Sequence, residues 1–364
     1  MSAPGLVLPV VETAAPAAVA LLGTGTVGTA VWERLRAWQG TPFGQRLQPV
    51  LVANSRLICR DRLVPDTSLP ALLARATPGM ALAQVTSALG ETGCRIVIDA
   101  TAADAVAACH ADWLARGIHV VTANKRGQGA ALARWRAIQS ARQTSGAHYG
   151  DSATVGAGLP ILRTLRALQA GGDRIHAIAG VLSGSLAWLL HQYDGLRPFS
   201  GFVRQAWQAG YTEPDPREDL SGEDVRRKLL ILVRATGVAL HARQVQVASL
   251  VPPALAAVPV DGVHAALTAL DAPLRARYAE AWKAGGRLRY IARWQAGGPA
   301  QVGLAMVPAD DPLAAGSGTD NRVAIWSDRY ARQPLVLQGP GAGAEVTAAA
   351  LLDDALAIQA GQRL

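Results

Sequence analysis

The 364-residue chain carries 35 lysines and arginines against 27 aspartates and glutamates, for a formal net charge of +8, and half of its residues are hydrophobic. That length has room for two domains, or one large one, with a core that needs no disulfide or metal staple. Apolar runs are short and broken by Gly, Pro or charge, which excludes a membrane span, and the basic residues are scattered singly without interleaved aromatics, which argues against a nucleic-acid surface.

The first twenty residues, MSAPGLVLPVVETAAPAAVA, lack a basic n-region and hold Glu12 and three prolines. They read as a loose lead-in and not a signal peptide, so a cytoplasmic location is expected. Ala18 to Leu22 is an apolar run entering GTGTVG (Gly23 to Gly28), followed by a helical pattern through Trp32, Leu35 and Trp38. A second apolar run, Val50 to Ala53, lies one crossover further on, as a right-handed βαβ unit requires. RIVIDAT (95–101), an Ala-rich helix, and IHVVTANK (118–125) continue the alternation, which predicts a doubly wound parallel sheet closing near 148–152. Cys59, Cys94 and Cys109 fit no disulfide or metal spacing and are expected to be buried reduced thiols.

From Thr154 the character changes. VGAGLPI leads into a helix, then RIHAIAGVLSGSLAWLL (174–190), with further helices around 199–209 and 223–236. The segments 286–294, 300–307 and 321–327 predict a second, mixed or antiparallel sheet, and GPGAGAEVTAAALLDDALAI is a glycine turn opening a last helix.

GTGTVG between a strand and a helix can bring backbone N–H groups to a pyrophosphate; a merely tight turn is the alternative. After the second strand, Asn54-Ser55-Arg56 offers no acid for a ribose 2′-hydroxyl and does offer Arg56 for a 2′-phosphate, which favours NADP(H) over NAD(H) unless Arg56 is only a solvated loop residue.

Only three basic residues are lysines: Lys125, Lys228 and Lys283. Lysine can give up a proton where arginine cannot, so its rarity draws attention to Lys125, at the C-terminal end of a predicted parallel strand, and to Lys228. Lys228 closes GYTEPDPREDLSGEDVRRK (210–228), which holds six carboxylates. Asp224 and Lys228 share one helical face in a stretch capped by Ser221, and an ordinary surface ion pair is the stronger reading of that spacing alone. Upstream, Pro214 and Pro216 pin Glu213, Asp215 and Asp219, an arrangement suited to a substrate ammonium, with a nearby lysine able to protonate a carbonyl under reduction.

The ordered set GTGTVG, TANK, TVGAGLPI, GVLSGSLAWLL, GYTEPDPREDLSGEDVRRK and GPGAG-x-x-VTA resembles homoserine dehydrogenase over nearly the whole chain. The resemblance implies reversible reduction of L-aspartate 4-semialdehyde to L-homoserine with NAD(P)H, on the way to threonine, methionine and isoleucine. It implies a Rossmann domain over 1–150 and 339–364 and an α+β catalytic and dimerisation region over 151–338. It further implies Lys228 as proton donor, assisted by Lys125; Glu213, Asp224 and Lys125 at the substrate; and Gly23, Gly25, Thr26, Val27, Gly28, Arg56, Thr101, Lys125, Gly210, Glu213, Gly341 and Gly343 at the cofactor.

A monovalent cation site on the backbone carbonyls of Val155, Ala157 and Leu159 is also implied, but the family's glutamate position holds Ser152, with Asp151 beside it. TANKRG lacks the family's proline after the lysines, and the length leaves no room for a regulatory ACT or kinase domain, so a short homodimer is expected. Two alternatives stay open: a catalytically silent dinucleotide-binding sensor, and a dehydrogenase for another amino-acid semialdehyde.

Overall fold

The computed structural model describes residues 15–60, 63–79 and 82–362, so most of the expected lead-in, residues 1–14, lies outside the described residues. The first half is a seven-stranded sheet of β1 (Ala17–Leu22), β2 (Leu47–Ala53), β3 (Leu57–Arg60), β4 (Thr77–Pro78), β5 (Arg95–Asp99), β6 (His119–Thr122) and β7 (Tyr149–Gly150), in the order β4-β3-β2-β1-β5-β6-β7. β2, β1, β5, β6 and β7 run parallel. Alternate residues of β1 enter two different cores: Ala17, Val19 and Leu21 in one, Ala20 and Leu22 in the other. Both faces are therefore covered, which is why the strand reads as a continuous apolar run.

The parallel reading fails at one edge. After β2 the chain does not cross over but turns back, and β3 and β4 pair antiparallel. The cause is local: Asn54 accepts the backbone N–H groups of Arg56 and Leu57 on its own Oδ1, at 2.8 and 2.9 Å, and donates its N–H to the Leu57 carbonyl. An Asx turn closes a hairpin there.

The second sheet is mixed: β8 (Ile175–Val181), β9 (Val245–Val247), β10 (Gly286–Gln295), β11 (Ala300–Pro308), β12 (Asp320–Ser327) and β13 (Leu335–Pro340), ordered β13-β12-β8-β10-β11-β9. Leu288, Tyr290, Ala292 and Trp294 of β10 face a large helical core, while Ile291 joins a smaller cluster with Ala179, Val181, Val307 and Ala324 on the opposite face.

The helix Ala344–Gln359 packs back on the first sheet, burying Ala348, Leu351, Leu352, Ala355 and Ile358 beside Val19, Val31 and Leu35. Each fully buried leucine there contributes about 1.5–3 kcal/mol. Cys59 is buried, but Cys94 and Cys109 are only half-buried, so three buried thiols were too many to expect; all are free, and burial raises their pKa values.

Candidate active site

The glycine turn connects β1 to the helix Thr26–Ala37, whose N-cap is Gly25. Gly23 adopts φ +102°, and a Cβ on Gly28 would sit 1.9 Å from the Gly23 carbonyl oxygen, so strand and helix touch backbone to backbone. A Cβ on Gly25 would meet nothing within 4 Å. The open side of the turn therefore presents bare backbone and a helix N-terminus, the surface an anionic pyrophosphate can approach. These features fit a dinucleotide.

From the turn a cleft of about 1060 Å³ opens between the two sheets, lined by Thr26, Val27, Thr101, Asn124, Lys125, Ala157, Glu213, Asp219, Asp224, Arg227, Lys228, Gly341 and Gly343, among others. Residues from seven separate stretches meet there.

The charged centre is Asp224. It stands in the first turn of the helix Glu223–Ala235, whose N-cap is the left-handed Gly222, with the Ser221 hydroxyl accepting the Glu223 N–H. Asp224 Oδ2 lies 2.9 Å from Lys228 Nζ, one turn along, and Oδ1 lies 3.6 Å from Lys125 Nζ, contributed by the turn after β6. Lys228 is 8% exposed, and its ammonium also donates to the Leu182 carbonyl at 2.7 Å, just beyond β8. Burial opposes charge on Asp224, but the Lys228 and Lys125 ammoniums outweigh it and hold the carboxyl well below its usual range. Burial is also the main force that lowers the Lys125 pKa, with Lys228 adding to it and Asp224 opposing. A lysine pushed down in this way gives up its proton more readily than one in water.

Glu213 is exposed on the turn before the short helix Pro216–Leu220. Its backbone N–H donates to Asp219 Oδ2 at 2.8 Å, and the Ser185 hydroxyl donates to Asp219 Oδ1 at 2.7 Å. Burial raises the Asp219 pKa, partly offset by those donors. Read along the chain, Asp219 is one more turn charge. In space it fixes the loop that carries Glu213 and lines the cleft with it, and the sequence signal for it was the proline-pinned turn it shares with Glu213 and Asp215. Asp215, by contrast, caps its own short helix and pairs with Arg217 at 2.7 Å, and Glu223 pairs with Arg226.

Several proposed residues stand apart from the cleft lining. Arg56 is exposed on the hairpin turn, where Asn54 Nδ2 donates to Thr24 Oγ1 of the glycine turn at 2.8 Å. Gly210 takes a left-handed φ of +71° at the end of the helix Phe199–Gln208. Val155 and Leu159 do not line the cleft, whereas Ala157, with φ +50°, does.

The cation site is short of an anionic oxygen. Ser152 gives its N–H and hydroxyl to Asp354, at 3.0 and 2.9 Å, and Asp151 is held by Arg166 and by Gln128. The Leu159 carbonyl already accepts the Ile161 N–H at 2.8 Å. These residues do not fit a cation held through a carboxylate.

A dinucleotide-binding α/β half facing a cleft with two lysines on one carboxylate defines the broad class, that of NAD(P)-binding proteins. Comparison with known proteins makes it particular. The model of the homoserine dehydrogenase NAD-binding domain matches residues 23–150, and the homoserine dehydrogenase model matches residues 160–356. The homoserine dehydrogenase of Emericella nidulans is 34% identical over 365 residues, covering 94% of this chain and 98% of the relative. The chain belongs to the homoserine dehydrogenase family.

A maize bifunctional aspartokinase/homoserine dehydrogenase is 42% identical over 264 residues, 72% of this chain; the chain thus spans 29% of that relative's length. Among solved structures, a putative homoserine dehydrogenase from Archaeoglobus fulgidus superposes with a TM-score of 0.79 at 25% identity, covering 94% of this chain and 99% of that one. A hyperthermophilic archaeal homoserine dehydrogenase solved with NADPH shares the fold, with a TM-score of 0.73 at 20% identity over 95% and 98% of the two chains.

Proposed function

We propose that this chain interconverts L-aspartate 4-semialdehyde and L-homoserine, using NADP(H) in preference to NAD(H). The observation that carries the reading is the grip of one carboxylate, Asp224, on the two lysines of the cleft, 2.9 Å from Lys228 and 3.6 Å from Lys125. When bound, the reduced nicotinamide supplies a hydride to the aldehyde carbon.

The protein supplies the rest. Charge building on the aldehyde oxygen is met by the Lys228 ammonium, which hands over its proton, and by Lys125 opposite. Asp224 keeps both ammoniums aimed at one point. With its two oxygens engaged by the lysines, the substrate ammonium falls to Glu213, supported by Asp219, and holding it there places the aldehyde in attack geometry. In the reverse direction Lys228 accepts the hydroxyl proton of homoserine.

The preference for NADP(H) is supported by Asn54 and Arg56. The side chain that could meet a ribose 2′-hydroxyl is an uncharged amide already bound into the turn, and an exposed guanidinium stands two residues on. A homodimer through the open face of the second sheet, and a cytoplasmic location, complete the proposal. No helix of the described residues is long and apolar enough to cross a membrane.

The test is a panel of homoserine, serine and other hydroxy amino acids with NADP and with NAD, read by absorbance of the reduced nicotinamide. Turnover with homoserine alone, faster with NADP, supports the reading. Cofactor binding without turnover of any alcohol would point instead to a silent sensor.

A further inference from the structure

Beneath the cleft, the first half contains a buried polar chain whose members are not among the residues that line it. Asp99, at the end of β5, and His110 are both 0% exposed. His110 Nε2 lies 3.0 Å from Asp99 Oδ2, and its Nδ1 lies 3.0 Å from the hydroxyl of Tyr149, on β7 and also fully buried. With Nε2 facing a carboxylate, that nitrogen carries the proton and Nδ1 accepts from the tyrosine hydroxyl. Burial keeps that hydroxyl protonated, raising its pKa well above 10.

Both ends of the chain reach the site. At one end, Asp99 Oδ1 accepts the Thr101 backbone N–H at 2.9 Å and the Thr101 hydroxyl at 2.6 Å, and Thr101 lines the cleft. At the other end lies the turn 124–130, which carries Lys125. A Cβ on Gly127 would sit 2.2 Å from the Tyr149 hydroxyl oxygen and 3.0 Å from His110 Nδ1, so the turn rests directly on the His110–Tyr149 hydrogen bond. Asn124 ties the two ends together, its amide reaching the Thr101 hydroxyl at 3.4 Å and the Ala103 carbonyl at 2.9 Å. From above, Arg234 presses the same turn into place through the carbonyls of Gln128 and Ala130.

We propose that Asp99, His110 and Tyr149 are positioning residues, which set the height of the Lys125 turn and the orientation of Thr101 through one buried hydrogen-bonded chain. This rests on the functional reading above, in that Lys125 and Thr101 face the reacting groups. The ends of three strands, β5, β6 and β7, and a turn meet here, and a displaced lysine loses rate without the fold being lost. A fully apolar base would pack as well but would leave Thr101 free to rotate.

The test exploits the contact at Gly127, which is not among the left-handed glycines, so that alanine there is obstructed only by what it meets. Gly127→Ala is expected to lower kcat/KM for homoserine by roughly 10- to 100-fold, the scale of a misplacement near 1 Å. NADPH affinity, set by the glycine turn, is expected to stay within about threefold. Adding Tyr149→Phe removes the atom in the way, although it also removes the last link of the chain, so it is expected to recover about fivefold of that loss and not all of it, a coupling of neighbours that independent damage cannot produce.

A double variant no better than Gly127→Ala, or a loss that follows NADPH affinity, overturns the proposal. If Gly127→Ala does not fold, soluble double variant is itself the rescue, and a double variant that also fails to fold overturns it. The emission of bound NADPH reads the Thr101 side without turnover and must change in Gly127→Ala and return in the double variant. A wild type that ignores homoserine would fault the functional reading, while the emission comparison would still decide the fate of the buried chain.

Discussion

The two sides of the cleft are built from different material. On the cofactor side the glycine turn works through backbone: Gly23 and Gly28 in contact, Gly25 open, a helix N-terminus behind. On the proposed substrate side the arrangement is made of side chains, with Asp224 between Lys125 and Lys228, and Glu213 held by Asp219. A backbone site depends on what is absent, so it tolerates no added atom. A side-chain site depends on balanced charge, so it is sensitive to the loss of one.

The harshest way to test that contrast is Gly28→Ala. Its Cβ would lie 1.9 Å from the Gly23 carbonyl oxygen, and neither backbone segment can yield without opening the turn. Loss of NADPH binding by about 100-fold or more is expected in a fluorescence titration, together with a lowered Tm. Retained affinity would mean that the turn does not seat the cofactor.

Asp224→Asn comes next. It leaves shape nearly intact but removes the anion that both lysines share, and a fall of about 10²–10³-fold in kcat is expected. The pH dependence follows from the signs. Burial and Lys228 lower the Lys125 pKa and Asp224 raises it, so without Asp224 the pKa falls further. The basic limb of semialdehyde reduction, where the Lys125 ammonium must still be charged, is expected to move to lower pH in a kcat/KM profile; a move to higher pH would contradict the charge balance.

Arg56→Ala is milder. Loss of one charge-assisted contact is expected to raise KM for NADP roughly tenfold and leave NAD unchanged. Equal effects on both cofactors would make Arg56 a solvated turn residue. Smallest is Lys283→Ala: this third lysine is exposed at the end of the helix Asp271–Lys283, and its replacement should change stability by no more than about 0.5 kcal/mol and kcat not measurably.

The same contrast explains what could be read in advance. Glycine spacing, apolar strands and the rarity of lysine are local signals, and they pointed to the dinucleotide-binding half, to the mixed second sheet and to Lys125 and Lys228. The Asn54 hairpin was hidden because its cause is a side chain folding onto its own backbone, in a place where a crossover was the simpler expectation. Asp219 was hidden among five other carboxylates in nineteen residues, and only the direction of its side chain sets it apart from Asp215. Asp99, His110 and Tyr149 are 11 and 39 residues apart and meet only because β5 and β7 end on the same edge of the sheet. The departure at Ser152 was visible, but not its partner Asp354, 202 residues away.

The central claim is that Lys228 moves the proton. The direct measurement is the single-turnover rate of homoserine oxidation by the wild type and Lys228→Ala, both saturated with NADP and shown to bind it equally. A fall of about 10²–10⁴-fold in the chemical step, partly restored by added small amines, is the predicted result. A loss below about tenfold would contradict it and leave Lys228 as the structural partner of Asp224 and the Leu182 carbonyl.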